Sequence, residues 1–251
     1  MKGSLIRNED LLPNQRENMY LLISTHFNGV KREVFDADLL EKNWVILLED
    51  EKKALQGFST LKIYETEFAG EVISAVYSGD TIVDPNSWSS SVLSKTWINS
   101  VNQLRQQYSK GKLYWLLICS GYRTYRFLPT FWNEFYPRYA TPTPAKTEAL
   151  LKFLARNQFG KYYDEERGVV RFPCPQILKN ELIEIPTERL KNSHISFFLQ
   201  KNPGYIQGDE LVCLTEISEE NLTSAGRKMW FAESSEGGEE RGERREGLIY
   251  S

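Results

Sequence analysis

The side chains able to do acid–base or anion-binding chemistry fall into a few short clusters of this 251-residue chain. Asp80 stands in Tyr77-Ser-Gly-Asp-Thr-Ile82, directly after a glycine and near the end of a stretch that reads as a strand. A carboxylate there can take a proton from an ammonium group or hold that ammonium in place. Gly79 permits close approach of backbone or ligand, and a bulge or turn satisfied by Asp80 and Thr81 accounts for the same residues. Ser87, Ser89, Ser90 and Ser91 crowd together before an amphipathic helix. Their hydroxyls and main-chain N–H groups can face an anion, or one serine can simply cap the helix. Gly121-Tyr-Arg-Thr-Tyr-Arg126 opens another helix, on which Arg123 and Arg126 share a face. That pair can clamp a phosphate or carboxylate while Tyr122 and Tyr125 stack on a flat group; arginines packed on tyrosines are equally an ordinary surface arrangement.

Other reactive types are sparse. Three separated cysteines, Cys119, Cys174 and Cys213, and two histidines, His26 and His194, give no zinc or disulfide spacing, so no metal is expected and the thiols read as free. Cys174 lies between two prolines, which favours exposure, and His194 precedes an apolar segment at a predicted strand end. Asn202-Pro-Gly-Tyr-Ile-Gln-Gly-Asp-Glu210 is either a hinged lid or a rigid turn. The formal charge of −3 is matched by the segment 233–246, whose six glutamates stand against three arginines. The near-neutral remainder argues against nucleic acid as a partner. The charged N-terminal residues and the absence of a long apolar run predict neither a signal peptide nor a membrane span, and with free thiols they point to a cytoplasmic setting.

The elements that must position these groups follow from periodicity. A helix is expected from about Pro13 to Phe27 and a short one over Asp36–Glu41. Trp44–Leu48, Leu55–Tyr64 and Glu71–Tyr77 read as strands, followed by Ser78–Val83 and a turn at Asp84-Pro85-Asn86. Trp88–Tyr108 has helical spacing, Leu113–Cys119 is a buried strand, and Tyr122–Tyr136 is an aromatic helix containing Pro129. Beyond the Thr141–Pro144 linker come a helix over Glu148–Phe159, an irregular stretch with a short strand at Val169–Phe172, and a long-looped hairpin from His194–Leu199 and Glu210–Glu216. The tail 231–251 lacks the apolar surface to offset ordering entropy and is expected to be disordered. The fold class is therefore mixed α/β (α+β), with a central, mostly antiparallel sheet flanked by helices.

This order of elements resembles the GNAT superfamily of acyl-CoA-dependent N-acyltransferases, over roughly Asn8–Ile217 with an insertion at about 138–192. The resemblance is one of layout, giving a GNAT-like domain over 1–230. It implies acetyl-CoA or another acyl-CoA as co-substrate, an amine acceptor, and a main-chain turn holding the donor pyrophosphate. Aligning Val83-Asp-Pro85 with the segment that precedes this turn assigns donor binding to Val83, Ser87, Ser89, Ser90 and Ser91. Trp88, Ser91 and Leu93 then occupy the positions where the family's Arg/Gln-x-x-Gly-x-Gly/Ala pattern is expected, and none matches. Phe135-Tyr136-Pro-Arg138 is similar to the Phe-Tyr-x-Lys/Arg segment whose tyrosine protonates the departing thiolate, which implies Tyr136 as the acid and Asp80 as the base. A phenol is protonated at neutral pH and can donate to sulfur. The degenerate turn leaves a second expectation, a non-catalytic GNAT-like protein that binds a ligand or a protein partner. A third is an adaptor that recruits a partner through its charged tail. The aromatics Trp115, Phe127, Phe131, Trp132 and Phe135 either line an acyl pocket or form core.

Overall fold

The structure is a computed structural model that describes residues 1–108 and 110–232. In chain order the elements are β1 (Lys2–Arg7), α1 (Pro13–His26), β2 (Phe27–Asn28), α2 (Arg32–Leu40), β3 (Trp44–Glu49), β4 (Leu55–Phe68), β5 (Glu71–Val83), α3 (Val92–Gln107), β6 (Leu113–Cys119), α4 (Tyr122–Phe131), α5 (Ala145–Phe159), β7 (Tyr163–Asp164), β8 (Val169–Val170), β9 (Ile177–Leu178), α6 (Asn180–Ile183), α7 (Ser193–Lys201), β10 (Glu210–Glu216) and α8 (Ser224–Trp230). An eight-stranded sheet has the order β1-β3-β4-β5-β6-β10-β8-β7, antiparallel throughout except for β5 and β6. The parallel pair is joined by α3, as a parallel connection requires a crossover.

Both sheet faces are covered, which is why β3 and β6 read as unbroken apolar runs. Trp44, Ile46 and Leu48 pack into a core with Trp97, Val101 and Leu104 of α3, Tyr125 and Leu128 of α4, Phe198 of α7 and Trp230 of α8. On the opposite face, Val45 and Leu47 meet Met19, Ile23, Phe35 and Leu39 of α1 and α2, while Leu116, Val212 and Leu214 meet Leu150, Leu154 and Phe159 of α5.

Several expected elements differ. His194–Leu199 is helix α7 rather than the first arm of a hairpin: the Asn192 side chain accepts hydrogen bonds from the His194 and Ile195 N–H groups, and Ile195 and Phe198 turn the same way into the core. β10 instead pairs with β6 and β8. The aromatic helix α4 stops at Phe131, because Trp132–Tyr136 runs extended and bridges Leu222 and Leu214. α3 begins at Val92, the preceding residues forming a turn capped by Asp84. Residues 138–192 supply α5, the edge strand β7 and its neighbour β8, α6, and β9, which pairs with β2. Residues 233–251, most of the expected disordered tail, lie outside the described residues.

Candidate active site

Between β5 and β6 the sheet opens. Their pairing runs from Ser74–Leu113 to Ser78–Leu117 and stops. Beyond it β5 stays on β4 as far as Val83–Gly57, while Ile118 and Cys119 stay on β10. A bulge sits at the opening: pairing steps from Leu61–Ser78 to Ser59–Thr81, so Gly79 and Asp80 together face Thr60. A Cβ on residue 79 would lie 2.5 Å from Lys42 Cε and 2.7 Å from Thr60 Oγ1, which explains the glycine. At the last paired position, Ser78 Oγ accepts hydrogen bonds from the indoles of Trp115 (2.9 Å) and Trp97 (3.2 Å). Both partners are donors only, so the serine keeps its own proton to donate.

Two cavities meet at this opening and share Phe27, Thr81, Leu117, Ser120, Thr124 and Gln176. The first, about 690 Å³, lies on the α3–α4 side. Its wall carries the hydroxyls of Ser78, Ser87, Ser89 and Ser90, the guanidinium groups of Arg123, Arg126 and Arg189, and His26, and no carboxylate among the described residues. Arg123 lies 4.0 Å from the Trp88 ring and 4.8 Å from Tyr122, and Nη1 donates to Leu182 O at 2.9 Å. Burial lowers its pKa. The Trp88 indole donates to Val83 O at 2.8 Å, tying the serine turn to the end of β5. His26 Nε2 is 3.4 Å from Asp84 Oδ2 at the same rim.

The second cavity, about 360 Å³, lies on the α1–α2 side and has the reverse charge: Asp38, Asp80 and Glu210 line it, and among the described residues no lysine or arginine does. Phe27, Tyr77, Tyr162 and Phe172 give it aromatic walls. Lys42 stands behind the wall, fully buried, with Nζ 2.6 Å from Asp38 Oδ1. The Asp80 carboxyl is pushed up to about 7, chiefly by burial and then by the charge of Asp38, against the opposing pull of Lys42. Burial, with Asp80 and Asp38 adding to it, pushes Glu210 up to about 8. The two therefore titrate as an interacting pair. Among the described residues, no three His, Cys, Asp or Glu side chains are placed to hold a metal ion.

Of the residues singled out from sequence, Val83, Ser87, Ser89, Ser90, Tyr122, Arg123 and Arg126 line the first cavity and Asp80 the second. Ser91 lines neither; its carbonyl accepts from Lys95 N and Ser94 Oγ. Tyr125 is buried and donates to Pro137 O at 3.0 Å. Tyr136 is buried in a bridge with Leu214 and lines neither cavity, whereas the phenols of Tyr122 and Tyr205 reach the first. Trp115, Phe127 and Phe131 line the first cavity, while Trp132 and Phe135 are core. Cys174 is exposed on the rim of the second, with Lys31 Nζ 3.4 Å from its sulfur. His194 sits against Phe135 and Tyr139, apart from both cavities. The turn 202–209 is pinned by Asn202 Nδ2 to Asp209 O (2.8 Å) and by a two-pronged Arg171–Asp209 ion pair, which makes it rigid. Sequence reading passed over Asp38, Arg189 and Glu210. For Glu210 a signal existed, a carboxylate opening the fully apolar run Leu211–Leu214.

No family model and no curated protein matches this chain. Solved structures similar to part of it include a probable N-acyltransferase from Enterococcus faecalis V583, 14% identical with a TM-score of 0.40 over 54% of this chain and 33% of that one. The chain thus spans about a third of that protein's length. A GNAT family N-acetyltransferase from Escherichia coli in complex with CoA is 12% identical (TM-score 0.37; 52% of this chain, 69% of that one). Glucosamine-6-phosphate N-acetyltransferase from Arabidopsis thaliana is 13% identical (TM-score 0.34; 46% and 82%). The fold is GNAT-like. Its own topology carries that description: paired N-terminal helices, the antiparallel β3–β4–β5 meander, the α3 crossover to parallel β6, and the opening between β5 and β6. Among the described residues, no helix of this GNAT-like chain is long and apolar enough to cross a membrane.

Proposed function

We propose that this chain is an N-acyltransferase that moves an acyl group from an acyl-CoA-type thioester to an amine. The observation that carries the reading is the segregation of charge across the sheet opening, with a serine- and arginine-lined cavity on one side and a carboxylate-lined one on the other. Phosphate groups of a donor suit the first, together with the N–H groups at the start of α3, and an ammonium group suits the second. A thioester carbonyl in the opening lies between them.

In this mechanism Asp80 takes a proton from the bound ammonium, and the free amine attacks the thioester carbonyl, forming the C–N bond. Ser78, its oxygen already accepting two indole N–H bonds, donates a hydrogen bond to the developing oxyanion and keeps its proton. The C–S bond then breaks as the carbonyl re-forms and the nitrogen releases its second ammonium proton to solvent, which replaces the one that Tyr205 gives up. Tyr205, whose pKa is raised by burial, is a protonated phenol in the donor cavity and supplies the thiolate proton. The net products are an amide, free thiol and one proton. Calorimetric titration with acetyl-CoA and a long-chain acyl-CoA, followed by a thiol-release assay across an amine panel, tests the reading. Saturable donor binding and amine-dependent thiol release are expected; absence of donor binding overturns it.

A further inference from the structure

The acceptor cavity has more carboxyl groups than one amine requires. Of its three carboxylates, Asp38 is engaged by Lys42, whose Nζ donates to both the carboxylate and the main-chain oxygen of the same residue. Asp80 sits on the bulge at the sheet opening, where a reacting nitrogen must stand. Glu210 remains. Its side chain has no hydrogen-bond or ion-pair partner among the described residues, and it stands half-buried at the start of β10 in the cavity wall. A carboxylate drawn partly out of water without a partner is costly to ionise unless a cationic ligand pairs with it. Among the described residues no lysine or arginine lines the cavity to do so, and no three His, Cys, Asp or Glu side chains are placed to hold a metal ion. Four aromatic side chains share the wall with Ile23, Val34, Leu117 and Ile118, a surface suited to a short aliphatic chain and to a cation facing a ring.

Resting on the acyltransferase reading, we infer that the acceptor is a dicationic amine: Asp80 serves the nitrogen that is acylated, and Glu210 pairs with a second, non-reacting ammonium held across the aromatic walls. One positive charge stays on the acceptor throughout. The proton of the reacting ammonium goes to Asp80, and the C–N bond forms as the C–S bond breaks, so Glu210 exchanges no proton with the substrate. A substrate of this class is discriminated by its second charge. A monoamine of equal length leaves Glu210 half-buried and unpaired.

The test is calorimetric titration of the full chain at pH 8.5 with 1,4-diaminobutane and with 1-aminopentane, its isostere carrying a methyl in place of one ammonium. The diamine is expected to bind about tenfold or more tightly, with the preference falling to near unity in Glu210→Gln. Equal affinities in the unaltered protein, or a preference that survives Glu210→Gln, overturn the assignment. A parallel acetyl-CoA titration separates the two ideas. Donor binding without diamine preference leaves the acyltransferase reading and removes this one. Diamine preference without donor binding keeps the dication site and removes acyl transfer.

Discussion

Lys42 Nζ donates to Asp38 Oδ1 at 2.6 Å from a fully buried side chain, and the lysine Cε occupies the space a Cβ on Gly79 would need. The glycine thus lets a buried cation stand against the bulge that carries Asp80. Of the charged groups around Asp80, Asp38 and Glu210 disfavour a further negative charge and Lys42 favours it. Replacing Lys42 by Met removes the only lowering influence. The acid limb of the pH–rate profile should then move up by about one unit. At pH 7 the variant should be slow, with activity recovering by about pH 9. An unshifted limb in a folded variant would separate Lys42 from the base.

A second expectation concerns stability. The Asp80 and Glu210 carboxyls bind protons more tightly folded than unfolded. Between the ordinary carboxylate range and about pH 8 the native state therefore holds more protons, and stability falls as pH rises through that window. Glu210→Gln removes one such group. It should leave stability nearly unchanged at pH 4 and raise it by roughly 1–3 kcal/mol at pH 9. Denaturant unfolding of both proteins at the two pH values measures the difference. Stabilisation that is equal at both would mean the glutamate ionises freely in the fold.

Part of this arrangement was legible in the chain. Continuous apolar runs marked β3 and β6, and the Gly79-Asp80 step marked the bulge, because those signals are local. β1 gave no such signal: it is an edge strand whose residues are exposed or half-buried, flanked by Lys2 and Arg7. α7 was read as a strand because Ile195-Ser-Phe-Phe-Leu199 suits either state, and the Asn192 cap decided it. The acidic cavity is a tertiary product, drawing Asp38 from α2, Asp80 from β5 and Glu210 from β10. No spacing in the sequence joins those three. β2 and β9 are two residues each, too short to leave a periodicity.

Ser78 and Tyr205 give separable kinetic expectations. Ser78→Ala should lower kcat by about 10²-fold with little change in donor KM, since the hydroxyl acts on charge that develops after binding. The orphaned Trp97 and Trp115 indoles should add about 1–3 kcal/mol of destabilisation. Ser78→Thr, which retains a hydroxyl, should restore part of kcat, an effect a purely structural serine would not show. Tyr205→Phe should slow thiol release more than Tyr136→Phe, because only the former residue lines the donor cavity. The reverse order would return the acid role to Tyr136.

Arg123 joins three segments that enclose the donor cavity: the turn bearing Trp88, the start of α4, and the strap formed by α6 (Asn180–Ile183), through Leu182. Its guanidinium is held at 4.0 Å on the Trp88 ring and uses Nη1 on the Leu182 carbonyl, leaving other N–H groups for an anion. Arg123→Lys keeps the charge but loses the planar stack and the fork. It should weaken acetyl-CoA binding by about tenfold and speed proteolytic cleavage between residues 179 and 189, with diamine affinity unaffected because Arg123 does not line that cavity. The two readouts distinguish its roles. Faster cleavage with unchanged donor affinity would make Arg123 a clasp for the strap alone, whereas weaker donor binding with unchanged cleavage would assign it to the phosphates. Loss of both together is the expected result, since one guanidinium plane serves the ring, the carbonyl and the anion.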